Sequence, residues 1–217
     1  CGAWRGIHYR TFAFHEDARS PDGAFEIEAV RDLGRLAARI HEVGSQGSCR
    51  HRRRIELPSF GVGNLASLRA SGLLPPTHAD PYRRHVEALV EAGRLLLEGA
   101  ELVRIHGDLG VWNLLDTDRG RVVLDFDDMA RAPPAFELGG LHFGIHRGGR
   151  KASDDPDLHE EVLAGVVGGY REGRPLDERW RAQTIGLGAL RWVWFDAWNA
   201  SRWHEEPFRK QRRAWQE

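Results

Sequence analysis

Cysteine is almost missing from this chain of 217 residues: only Cys1 and Cys49 occur. Two thiols cannot build a disulfide scaffold, so that class is excluded and a reducing cytoplasm is the expected compartment. No apolar run approaches the roughly 18 residues of a bilayer-spanning helix, and the N-terminus lacks the basic-then-apolar layout of a signal peptide. No membrane partner is expected. An excess of either charge is also lacking: 31 Lys and Arg stand against 32 Asp and Glu, a formal net charge of −1. That balance argues against a nucleic-acid partner. Lysine is confined to Lys151 and Lys210, so nearly all basic residues are Arg, which reads as coding bias rather than chemistry. What is present, 41% hydrophobic and 29% charged residues, suffices for one good-sized core or two small lobes.

The chain opens with Cys rather than Met, and "HYRTFAF" (8–14) alternates and ends apolar like an internal strand. The chain is therefore expected to begin mid-domain. "HEDARSPDG" (15–23) reads as a polar linker. A helix is predicted from about Phe25 to Val43, with Ala29, Val30, Leu33, Leu36, Ala37 and Ile40 on one stripe and Gly44 as its stop. Residues 45–64 lose periodicity and read as an irregular connection. Asp80 and Pro81 signal the start of a second helix, whose apolar face runs to Gly99. Three short strands follow, "ELVRI", "NLL" and "RVVLDF", with "DTDRG" turning a hairpin between the last two. Further helices are expected at about 157–171 and 178–203. In the latter, Leu187, Leu190, Trp194 and Trp198 share a face that reads as core.

The chemistry gathers in "IHGDLGVWNLLDTDRGRVVLDFDD" (105–128). Asp108 precedes Asn113 by five residues, Asp125 ends the returning strand, and the hairpin brings all three to one end. Phosphoryl transfer needs a carboxylate that orients the attacking hydroxyl and accepts its proton, together with oxygen ligands for Mg²⁺ on the phosphates. Asp108 suits the first role. Asn113 and Asp125 suit the second, since Mg²⁺ takes hard oxygen donors and few protein carboxylates. The plainer alternative is that Asp108 and Asn113 serve a turn; their concurrence with Asp125 favours the site. Asp127 is a third metal candidate, with Asp128 solvated. Asp108 lies in a polar loop, so its replacement by Ala is expected to cost rate and hardly any stability. "RHRRR" (50–54) reads as a solvated basic face, with no role assigned.

This spacing resembles the catalytic loop and metal segment of the protein-kinase-like superfamily, in its aminoglycoside phosphotransferase and choline kinase branch. His106, Gly107, Asp108 and Asn113 match the loop H-G-D-x-x-x-x-N, and Asp125 stands where the metal Asp follows an apolar run. Within that branch, "HGDLGVWNLL", "VVLDFDDMARAPP", "RLAARIHEVG" and "LRWVWFDAWNASRW" are similar to segments of the bacterial stress response kinase A family, cytoplasmic Ser/Thr protein kinases. The resemblance covers nearly the whole chain. It implies an α+β, protein-kinase-like fold, here mainly the helical C-terminal lobe with a small catalytic β-hairpin. Candidate catalytic residues are Asp108 and His106, the latter similar to the His that orients the loop, a structural role ahead of proton transfer. Glu137 stands where relatives often carry an Asp bonded to the catalytic loop, and its extra methylene puts that support in doubt.

The resemblance further implies a phosphate-covering loop and a Lys upstream, which this chain does not supply, since both its lysines follow the metal segment. Residues 1–24 are expected to be a remnant of the N-terminal lobe and hinge, and 25–217 the C-terminal lobe. The function implied is transfer of phosphate from ATP, with Mg²⁺, to a Ser or Thr of a protein, with doubtful activity from this chain alone. The alternatives are a small hydroxylated acceptor of the aminoglycoside, choline or homoserine kind, and a silent binding module. The acceptor's identity and the oligomeric state are not fixed by the sequence.

Overall fold

The computed structural model describes residues 2–5, 7–9, 13–21, 26–47, 51–57, 59–148 and 156–205. A short antiparallel pair, β1 (Gly2–Trp4) and β2 (Ile7–Tyr9), precedes helix α1 (Ile27–Ser45). A π-helical turn (Ser59–Gly63) then leads into α2 (Asn64–Ala70) and α3 (Pro76–Leu97). Four short strands come next: β3 (Val103–Ile105), β4 (Leu114–Thr117), β5 (Gly120–Val123) and β6 (Ala130–Ala132). Helices α4 (Pro134–Gly148), α5 (Pro156–Gly173) and α6 (Trp180–Ser201) complete an α+β fold that is mostly helical. Among the described residues no helix is long and apolar enough to cross a membrane.

The hairpin forms in the expected segment, but β5 ends at Val123, so Asp125 lies two residues past the strand instead of ending it. β4 and β5 pair antiparallel from Leu114↔Val123 to Thr117↔Gly120. Its turn is closed by the Thr117 hydroxyl, which donates to Gly120 O at 2.7 Å, and Gly120 takes the positive φ of +116° that few side chains tolerate. β3 pairs with β6 instead, Val103↔Ala132 to Ile105↔Ala130.

Several expectations are corrected. The strand in 8–14 ends at Tyr9 among the described residues, and Phe14 is 87% exposed rather than facing a sheet interior; residues 10–12 lie outside the described ones. Gly44 does not stop α1. It lies inside the helix, where glycine is needed because a Cβ would collide with Arg104 O of β3, and Gly47, at φ +76°, supplies the left-handed stop. α3 starts at Pro76, with Pro75 as N-cap, and not at Asp80. Proline at the first helical position has its φ preset, whereas Pro81 sits inside on an exposed face and forfeits one bond. α2, β6 and α4 had no counterpart among the expected elements. For α4 the reason is physical: it is buried nearly all round, from Ala135 through Leu141 to Ile145, and so shows no polar face to set a period. On α6, Leu187 and Leu190 are buried as expected, but Trp194 and Trp198 are only partly covered.

α4 is central because it feeds both large clusters. Leu138 and Leu141 join Val30, Leu33 and Ala37 of α1 and Val166 and Tyr170 of α5. Ala135 and Phe136 join Phe60, Val103, Ile105 and Leu190. Glycines set the helix spacing. A Cβ on Gly34 would meet Val166 O and one on Gly169 would meet Arg31 O, so α1 and α5 touch backbone to backbone. Gly139 and Gly188 bring α4 and α6 together in the same way.

These contacts predict opposite outcomes at adjacent positions of α5. Gly169→Ala overpacks the α1 crossing and should cost about 1–3 kcal/mol. Gly168 meets nothing within 4 Å, so Gly168→Ala should stabilise by roughly 0.5–1 kcal/mol through helix propensity. Urea denaturation of the two variants reads both signs, and equal effects would contradict the spacing argument.

Candidate active site

The chain leaves β3 through His106, Gly107 and Asp108. Gly107 has a φ of +89°, and Asp128 O occupies the place of a Cβ, so only glycine fits this turn. His106 is fully buried. Its Nε2 donates to Leu124 O at 2.8 Å, and its Nδ1 accepts from the Asp108 N–H at 3.2 Å, a pattern one tautomer satisfies. The ring thus ties the loop to the segment after β5, and its geometry is that of an orienting residue.

A 3-10 turn, Val111–Asn113, then folds Asn113 back onto Asp108. Asn113 Nδ2 donates to Asp108 O at 2.8 Å and to its Oδ2 at 3.0 Å. Both amide hydrogens are spent there, and the amide oxygen is what remains to offer. Two residues absent from the sequence reading complete the grip. The indole N–H of Trp112, a residue 55% exposed, donates to Oδ2 at 3.2 Å. Arg191, from α6, donates through Nη2 to Oδ1 at 2.7 Å. The Arg191 side chain is 13% exposed, and burial pulls its guanidinium below the ordinary value, an effect that the charges of Asp108, Glu137 and Asp128 oppose. The expectation that Asp108→Ala spares stability is therefore corrected: it would strand a buried guanidinium.

The hairpin carries Asp125 to the same end as Asn113, since Leu124 N–H donates to Asn113 O at 2.9 Å. Asp125 is a non-glycine residue at φ +56°, a left-handed conformation that Asp tolerates better than most. Its Oδ1 accepts from the Asp127 N–H at 3.4 Å, and both side chains are exposed. Asp128 is not simply solvated, because its Oδ1 accepts from Arg53 Nη2 at 2.9 Å. The basic run is likewise more than a solvated face. Arg52 donates to Asp127 O at 2.8 Å, while the Arg53 and Ile55 backbones bond Arg131 of β6 on both sides. Residues 52–55 thus clamp the segment that holds Asp125 and Asp127. No group of three or more His, Cys, Asp or Glu able to hold a metal occurs among the described residues. Asn113, Asp125 and Asp127 carry oxygens of the hard kind that could hold a divalent cation such as Mg²⁺.

Beneath the loop lies Glu137 of α4, 3% exposed. Its Oε1 accepts from Gly107 N–H at 2.6 Å and its Oε2 from His106 N–H at 3.1 Å, while His41 Nε2 stands 2.8 Å from Oε2. Tyr170 OH lies 3.0 Å from His41 Nδ1. The doubt raised by the extra methylene is removed, because the longer side chain reaches both loop amides. Burial alone would raise this carboxyl. The hydrogen bond and charge of His41, with the Gly107 N–H and His106, outweigh it and hold Glu137 below the usual range.

The model of the phosphotransferase enzyme family matches residues 15–181. Stress response kinase A of Escherichia coli K12 is 25% identical over 188 residues, covering 86% of this chain and 54% of that protein. The serine/threonine protein kinase RdoA of Salmonella typhimurium LT2 is 25% identical over 210 residues, covering 96% of this chain and 60% of that protein. The chain therefore spans little more than half the length of these curated relatives. Among solved structures, an amicoumacin kinase in complex with AMP-PNP, Ca²⁺ and Ami aligns at a TM-score of 0.62, with 16% identity, covering 83% of this chain and 53% of that one.

The Glu137 geometry makes a pH prediction. A carboxyl held low in the folded protein contributes stability that is full above its unfolded value near 4.5 and is lost as pH falls through the folded value. Glu137→Gln should cost roughly 3–5 kcal/mol at pH 7, as broken buried pairs do. It should also flatten the acid limb of stability below about pH 4.5. Chemical denaturation from pH 3 to 7 measures both, and an unchanged acid limb would count against the burial and pairing described.

Proposed function

The chain belongs to the phosphotransferase enzyme family, and from that premise we propose that it is part of an ATP-dependent kinase whose acceptor is a Ser or Thr hydroxyl of a protein. The observation that carries this reading is Asp108, an exposed-edge carboxylate gripped on both oxygens at the hairpin end that also bears Asn113 and Asp125. In the proposed reaction the acceptor hydroxyl gives its proton to Asp108 as its oxygen bonds the γ-phosphorus. The bond from that phosphorus to the β–γ bridging oxygen breaks, and ADP leaves. Asn113 and Asp125, with Asp127 beside them, would hold Mg²⁺, which supplies charge neutralisation on the phosphates when bound. His106 holds the loop in register and moves no proton.

The protein acceptor rests on the relative named a serine/threonine protein kinase and on local charge. Asp108 is matched by Arg191, Asp128 by Arg53 and Glu137 by His41. A polycationic acceptor would find these carboxylates already paired. A second reading, a small ring-bearing acceptor, is favoured by one feature, the exposed Trp112 indole beside Asp108.

Protein from the complete reading frame, with Mg²⁺, labelled ATP and dephosphorylated casein, tests the reading. Asp108→Asn removes the base and should lower turnover about 10²- to 10⁴-fold; its NH2 group must face either Arg191 or the Asn113 and Trp112 donors, so the melting temperature should fall as well. Asp108→Ala should likewise destabilise, by roughly 3–5 kcal/mol, through the unpaired Arg191. Asp125→Asn should weaken Mg²⁺-dependent ATP use far more than Asp128→Asn. Full turnover in Asp108→Asn would remove the proton acceptor from the proposal, and equal effects at 125 and 128 would displace the metal.

A further inference from the structure

Arg191 comes from a helix that the catalytic motif does not include, and the fold goes to some length to deliver it. Gly139 and Gly188 let α4 and α6 touch backbone to backbone. Three residues beyond Gly188, the Arg191 side chain passes Gly140, where a Cβ would lie 3.3 Å from its Cδ and Nε. The guanidinium then lies over the Trp194 ring, 4.8 Å from its centroid, and 6.0 Å from that of Phe136. Nη2 bonds Asp108 Oδ1, and Nη1 is buried with no hydrogen-bond partner among the described residues. A guanidinium stays charged when buried, and one left partly unsatisfied is a cost. Residues that served only to fill this space would have no need of the charge.

The lone pairs of Asp108 show what the charge does. Each carboxylate oxygen offers two acceptor positions. Among the described residues Oδ2 uses both, for Asn113 and Trp112, and Oδ1 uses one, for Arg191. The position left for an incoming hydroxyl is on Oδ1, the oxygen that Arg191 holds. Without that bond only the Asn113 and Trp112 bonds on Oδ2 restrain rotation about the Cβ–Cγ axis, and the vacant position on Oδ1 is held less firmly in direction.

We propose that Arg191 is a positioning residue for phosphoryl transfer, fixing Asp108 so that the free lone pair of Oδ1 faces the acceptor hydroxyl. This rests on the reading of Asp108 as the proton acceptor and extends it to α6. The proton still passes from the hydroxyl to Oδ1 and the γ-phosphoryl to the hydroxyl oxygen; Arg191 gives up no proton.

The test is a double-substitution cycle in protein from the complete reading frame, with casein turnover, affinity for a fluorescent ATP analogue and thermal melting as readouts. Arg191→Met should lower kcat about 10²-fold, the scale of a misplaced reacting group, while the KM for ATP and analogue affinity stay within about 3-fold, as expected for an interaction outside the nucleotide site. Placed on Asp108→Asn, where the base is already gone, the same change should cost no more than about 2-fold, since residues acting as a unit are not additive. A merely structural role would multiply the losses. If Arg191→Met does not fold, Arg191→Lys, which keeps the charge but not the planar reach, takes its place with the same expectations. Turnover of the folded single variant within about 3-fold of wild type, or losses that multiply on Asp108→Asn, would overturn the inference with Asp108 left in place. Full turnover in Asp108→Asn itself would overturn the proton-acceptor reading and this inference with it.

Discussion

One buried carboxylate holds the site in place. Glu137 accepts the two backbone N–H groups of His106 and Gly107, which the loop's departure from β3 leaves without strand partners. An unpaired buried amide costs about as much as a lost hydrogen bond, so the loop has one low-energy path across α4. The ring of His41 on α1 then meets Glu137 Oε2 at 2.8 Å, and Tyr170 on α5 completes the chain of contacts. Three helices are thereby committed to one loop conformation before any substrate is present. That is preorganisation in the sense that matters for charge-stabilised reactions: the polar groups are aimed in advance.

The same logic recurs at the surface of the loop in ion pairs. Arg191 and Arg53 approach from opposite sides of the motif in sequence and meet Asp108 and Asp128. Arg53 also lies over the Phe60 ring, 5.7 Å from its centroid, so both arginines use an aromatic face to cover a planar cation. Arginine suits this better than lysine because its guanidinium is weakly hydrated and planar. The scarcity of lysine in the chain thus has a structural use at these two positions, whatever its origin.

What could be read from the sequence was what the chain specifies locally. His106, Gly107, Asp108 and Asn113 fall within eight residues, and Asp125 is returned by a hairpin whose turn residues declare it, so spacing alone assembles them. Arg191 lies 83 residues from Asp108 and His41 lies 96 from Glu137. Their meeting depends on how closely helices pack, which is decided by glycines whose role is invisible until their neighbours are known. Total burial leaves α4 without a period to read, and Pro81 inside α3 mimics the start signal that Pro76 supplies. The basic run looked solvated for a similar reason: β6, against which it is laid, is a strand of three residues with nothing in its composition to mark it.

The stretch before α1 also closes something that would otherwise be open. Arg19 and Asp116 exchange both backbone hydrogen bonds, at 3.0 and 2.9 Å, on the side of β4 away from β5. A two-stranded hairpin left bare on that side would present a free edge, the feature through which strands of separate molecules find one another. Asp17 adds a carboxylate on the Asp118 N–H at 2.7 Å, so the cover is charged as well as paired. Proteolytic nicking between residues 13 and 21 would therefore act first on self-association, exposing an adhesive edge on the hairpin that carries Asn113, while the helical core stayed intact.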